Sequence, residues 1–153
     1  MVDAFRWINV FFSAILGGGM VLELVILIPA ARLLPTDRVL TAYRFSARRS
    51  GYFYAPPNGL VALIAAIVVV IAGHEIDHAS TILRLIGAAA LVSRAAATAT
   101  LYMHGLYKPT KKVTSLTESH AALLLSRWRR AQLLRTTLYV ASLALFVAAD
   151  VAY

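Results

Sequence analysis

Residues 7–31, WINVFFSAILGGGMVLELVILIPAA, form one long apolar run that contains a single carboxylate, Glu23. A hydrocarbon core of about 30 Å needs roughly 20 helical residues, and the run exceeds that. It has no small-residue cleavage pattern, so it reads as a retained span and not as a signal peptide. Lipid gives backbone amides no partners, so a chain with such segments crosses as helices. Three further apolar segments follow. One covers about 55–73 and includes the PPNG turn at 56–59. Another covers 82–104 and carries Arg84 and Arg94. The last covers 131–149 and ends before Asp150. The expected fold is all-α: a transmembrane four-helix bundle, one domain over 1–153, with an interfacial amphipathic helix after the first span.

Composition agrees with this environment. Of the 153 residues, 60% are hydrophobic and only 14% charged, which is more apolar surface than a soluble domain of this size can hide. There is no cysteine, so disulfides and thiolate–metal sites are excluded. The net charge of +8 does not point to nucleic acid, because the basic residues collect in two segments between apolar runs. One holds Arg32, Arg38, Arg44, Arg48 and Arg49; the other holds Lys108, Lys111, Lys112, Arg127, Arg129 and Arg130. The link GHEIDHAS, 73–80, has neither Lys nor Arg. The positive-inside rule then predicts cytoplasmic segments at 32–55 and 105–130, with both termini outside a bacterial cytoplasmic membrane. In 36–50, Val39, Tyr43 and Ala47 recur at helical spacing with arginines on the other faces. That spacing predicts an amphipathic helix on the inner leaflet. Thr117 or Ser119 is suited to cap the last helix. Trp128 and its flanking arginines are expected at the interface.

Charges within spans are costly and turn away from lipid. By helical rise Glu23 lies about 13 Å inside the basic boundary and Arg94 about 21 Å. The first span offers a stripe of Phe12, Gly19, Glu23, Leu27 and Ala30, with Gly17, Gly18 and Gly19 permitting close approach. The third offers Gly87, Ala90, Arg94, Thr98 and Leu101. Two stripes with one opposite charge each predict that Glu23 and Arg94 face one another. The pair serves either as a structural ion pair or as the lining of a functional cavity. HEIDH, 74–78, spells the H-E-x-x-H of zinc hydrolases, but a third ligand is missing, and no catalytic metal site is expected. His104 and His120 fall near the basic side, where histidine can move protons near neutral pH.

The third span runs into YMHGLYKPTKKVTSL (102–116), and RWRRAQLLRTTLYVASLALF (127–146) follows; IPAARLLP (28–35) and APP (55–57) occupy the first half. This arrangement resembles the anthrone oxygenase-like family of small four-helix membrane proteins over nearly the whole chain. Trp128 and Arg135 match its W…R pattern, and Pro109-Thr110 its P-T-N-like turn. Lys111 stands where asparagine is usual, and Gln132 where histidine is common. The resemblance implies oxidation of lipid-soluble anthrone- or phenol-like aromatics by molecular oxygen without a cofactor. It implies Glu23 or His104 as base and Arg94 or Arg135 as holder of the oxyanion. Asn58, Thr98, Tyr102 and Trp128 are the candidate substrate contacts. The implied partners are membrane lipid and a hydrophobic aromatic small molecule, and a transport role would add further copies of the chain. The competing expectation is a non-catalytic membrane accessory subunit whose buried charges only fix helix registry.

Overall fold

The computed structural model describes residues 2–54, 64, 67, 71 and 78–151. The described elements are all helical. Helix α1 is an α-helix over Val2–Leu22, widens to a π-helix over Glu23–Leu27 and closes as a turn of α-helix at Ile28–Ala31. Helix α2 spans Thr36–Tyr54. Helix α3 runs over His78–Ala97, passes through a π-helical stretch at Thr98–Tyr107 and ends at Lys108–Thr110. Helix α4 spans Glu118–Val151. Three segments are long and apolar enough to cross a bilayer: Trp7–Ala31, Ala79–Thr110 and Glu118–Val151. The expected second span lies outside the described residues except for Ile64, Ile67 and Ile71, which are helical and exposed.

Both π-helical stretches end two residues before a proline, Pro29 and Pro109. Proline has no N–H and its ring crowds the carbonyl four residues back, so the α-helical ladder cannot continue unchanged into it. The helix widens instead, and the N–H of Ile28 reaches the carbonyl of Glu23 while that of Lys108 reaches Met103. Beyond each widening the inward stripe moves along. On α1, Ile28 and Ala31 are buried whereas Leu27 and Ala30 are exposed. On α3, Leu101 is exposed and the burial passes to Leu106 and Thr110. Both expected stripes therefore hold as far as the π-helix and are displaced after it.

Helix α1 tightens at its end, where Arg32 and Leu33 donate to the carbonyls of Pro29 and Ala30. Pro35 then opens α2 by accepting from Arg38 and Val39. The predicted amphipathic face of α2 is present, with Val39, Leu40, Tyr43 and Ala47 buried. That face packs on protein: its core neighbours include Ile28, Leu106, Leu124 and Trp128. Arg44 of α2 donates to the carbonyls of Thr110 and Val113, tying α2 to the end of α3. Thr117 caps α4, its hydroxyl accepting from the His120 N–H while its carbonyl accepts from Ala121.

Helix α4 is the hub. Against α3 it runs antiparallel, Arg84, Gly87 and Arg94 meeting Asp150, Phe146 and Tyr139 in turn. Against α1 it is also antiparallel, with Gly17, Met20 and Glu23 meeting Tyr139, Gln132 and Trp128. Gly87 makes the α3–α4 approach possible. A Cβ there would stand 3.0 Å from the Phe146 ring, while the Gly87 carbonyl accepts from Ser142 at 2.8 Å. Of the glycine triplet, Gly17 sits against Tyr139 and Gly18 faces open space. The apolar core is divided in two. One cluster surrounds Trp128 at the arginine-rich end; the other holds Leu16, Met20, Leu91, Tyr139 and Phe146. Gln132, Arg135 and Thr136 are buried between them on α4.

Candidate functional site

Glu23 is 2% exposed, at the point where α1 starts to widen. Its Oε1 accepts from the Trp128 indole at 3.0 Å and from the Ser46 hydroxyl at 2.9 Å. Three helices thus converge on one carboxylate oxygen. Trp128 also takes the Tyr43 ring edge-on, with centroids 5.1 Å apart. It is buried, its indole turned inward to give a buried carboxylate an N–H. Burial and then the Glu23 charge push the Tyr43 phenol well above its ordinary range, with Arg135 pulling the other way.

One turn along α4, Gln132 donates to the Met20 carbonyl at 3.2 Å and accepts from Arg135 at 2.9 Å. Trp128, Gln132, Arg135 and Tyr139 recur every three or four residues and so form one polar seam facing the bundle interior. Arg94 joins it from α3, its guanidinium 4.8 Å above the Tyr139 ring centroid. Arg94 is 7% exposed, and its Nε and Nη1 meet no hydrogen-bond partner among the described residues. Thr98 donates to the Arg94 carbonyl, so it serves its own helix.

The expected Glu23–Arg94 pairing is corrected. The two charges meet α4 at Trp128 and Tyr139, eleven residues apart, or roughly 16 Å along a helix. Depth counted from the loops missed this, because the register of α4 and not the loop boundary sets which groups meet. His104 stands apart from both. It is exposed, its Nδ1 lies 2.6 Å from the Ala99 carbonyl, and its Nε2 lies 2.8 Å from Lys108 Nζ. A carbonyl only accepts, so Nδ1 donates to Ala99 and Nε2 faces the Lys108 ammonium, both partners lying on the same helix as His104. Asn58, the Tyr102 side chain and residues 74–77 of HEIDH lie outside the described residues.

The structure therefore brings Glu23, Trp128 and Arg135 into one seam, with Arg94 further along it and His104 outside. Ser46, Tyr43, Gln132 and Tyr139 were not among the expected site residues. The seam was detectable in the spacing of Trp128, Gln132, Arg135, Tyr139 and Ser142, at intervals of four and three along α4. Arg84 was likewise not paired in advance: its Nη2 meets Asp150 at 3.0 Å and closes the far end of α3 on α4. Comparison of the chain with family models, curated proteins and solved structures gives no match.

Proposed function

We propose that the chain is a four-helix integral membrane enzyme that binds a lipid-soluble aromatic molecule along this seam and oxidises it with molecular oxygen. The observation that carries the reading is Arg94, a guanidinium buried in a helix apolar enough to span a membrane, with two of its nitrogens, Nε and Nη1, unpartnered among the described residues. A cation held there at such cost is suited to an oxyanion brought in from lipid. In the reaction a base removes a proton from the methylene of an anthrone, and the enolate oxygen lies against arginine. Oxygen adds at that carbon, and water leaves to give the quinone. Each turnover consumes one O₂ and releases one water. Glu23 is the base in this reading, and Arg135, between Glu23 and Arg94 along α4 and so the nearer guanidinium, takes the enolate oxygen.

The bundle itself is supported by direction. Helices α1 and α3 both oppose α4, so they are parallel, and the chain joining them has to cross back. With the basic segments cytoplasmic, both termini fall outside, in a bacterial cytoplasmic membrane. A cysteine at Ser115, which is exposed, should then react with an impermeant maleimide in inverted vesicles and not in intact cells.

The test of function is oxygen uptake by the purified chain in lipid discs with a hydroxylated anthrone. The expected result is quinone formation matched to oxygen consumed, lost in Arg94→Met with the helical signal retained. Uptake at the buffer rate would overturn it. A second reading, a non-catalytic accessory subunit, draws on the two hydrogen bonds that hold Glu23 Oε1. It expects Glu23→Gln to change melting and to leave no activity to lose.

A further inference from the structure

The arginine-rich end of the bundle carries a groove that the seam does not use. It lies between the end of α1 and the first half of α4 and has a volume of about 630 Å³. Helix α1 gives it Val25, Ile28, Pro29 and Arg32, spaced at i, i+3, i+4 and i+7. Helix α4 gives it Ser126, Arg129, Arg130 and Leu133, with the same spacing. Two whole helix faces therefore line it. The lining combines three arginines, Arg32, Arg129 and Arg130, with the apolar Val25, Ile28, Pro29 and Leu133. No acidic residue lines it among the described residues, and the neighbouring Glu23 turns inward to Trp128.

We propose that this groove seats one anionic phospholipid, its phosphate held by Arg32, Arg129 and Arg130 and an acyl chain lying along Val25, Ile28 and Leu133. Charge complementarity selects the occupant. Three guanidiniums lining one groove match a phosphate, which accepts paired N–H bonds from the planar fork of arginine. Val25 and Leu133 are more than half exposed, so the apolar part of the lining is open to lipid, where a free anion would gain nothing from it. Basic pockets between spanning helices at the headgroup level favour acidic lipids for this reason.

The test is native mass spectrometry of the detergent-purified full chain with equimolar dioleoyl phosphatidylglycerol and dioleoyl phosphatidylcholine. Phosphatidylglycerol adducts are expected to dominate. Arg129→Gln and Arg130→Gln should each lower them about fivefold, and Arg127→Gln, whose side chain does not line the groove, should leave them unchanged. Leu133→Trp should also lower them while keeping every arginine, which separates a lipid seat from a bare charge effect. Equal retention of the two lipids would overturn the proposal. So would an Arg127→Gln loss as large as that of Arg130→Gln, or displacement of the lipid by millimolar inorganic phosphate.

Discussion

The indole N–H of Trp128 meets the carboxylate of Glu23 at 3.0 Å across 105 residues of sequence. Trp128→Phe keeps a smaller aromatic ring and removes the donor, leaving Glu23 Oε1 one donor poorer in a buried site. A lost hydrogen bond to a buried charged group costs about 1–3 kcal/mol. Thermal melts in detergent should fall accordingly, and the loss should shrink in a Glu23→Gln background, where no charge remains to satisfy. Equal losses in both backgrounds would mean that the bond contributes nothing specific.

Glu23 and Arg94 should behave as independent sites. They meet α4 at positions eleven residues apart, and separated sites usually add to within about 0.5 kcal/mol. Glu23→Gln and Arg94→Met, alone and together, give the coupling energy from four melting curves. A double mutant that recovers most of the loss of the singles would restore the direct ion pair that the geometry denies.

Periodicity in the sequence was enough to place three helices long and apolar enough to cross a membrane, the buried stripe of α2 and the inward turn of Glu23 and Arg94. It failed after Leu22 and Ala97, because a π-helical stretch changes the residues per turn and hands the stripe from Leu27 and Ala30 to Ile28 and Ala31. Pro29 and Pro109 were the available warning. The partners of the two charges were not legible, since they depend on how far α4 slides against α1 and α3. The partner of Trp128 was not legible for a related reason. Tryptophan beside arginines reads as an interface anchor, and only the neighbouring carboxylate draws it inward.

The glycines divide by what a methyl group would meet. Gly87→Ala would press a Cβ to 3.0 Å from the Phe146 ring and 3.4 Å from the Ser142 carbonyl, and such overpacking costs about 1–3 kcal/mol. At Gly17 the nearest atom is an ordinary 3.5 Å away, and at Gly18 there is open space. Alanine there should be neutral or stabilising by up to about 1 kcal/mol through helix propensity. Melting temperatures ranked Gly87→Ala below wild type, with Gly18→Ala at or above it, would bear this out. A Gly87→Ala protein as stable as wild type would mean that α3 and α4 are further apart.

Tyr43 gives the fold a dependence on alkaline pH. Its folded phenol is held above the unfolded value, so near pH 10 the unfolded chain begins to lose a proton that the folded chain keeps. The contribution is fully present below the unfolded value and is lost as pH rises past it. Unfolding midpoints in denaturant should therefore fall more steeply above pH 10 for wild type than for Tyr43→Phe. Parallel curves would mean that the phenol ionises as freely in the folded protein as in the unfolded chain.

The far end of the bundle rests on Arg84 and Asp150. Arg84 is 1% exposed and its Nη2 lies 3.0 Å from an Asp150 side chain that is 28% exposed. The pair is asymmetric: without Asp150 the arginine stays buried, whereas without Arg84 the aspartate keeps access to its open side. Stranding a buried charge costs about 3–5 kcal/mol, and removing both partners together is often close to neutral. Asp150→Leu alone should therefore lower the melting midpoint more than Arg84→Met alone, and the double variant should recover most of either loss. Raising salt should change the wild-type melt little, because a guanidinium this buried is screened weakly. A larger loss from Arg84→Met, or a double mutant as unstable as the two singles added, would place the weight of this contact on the packing of the arginine stem and not on its charge.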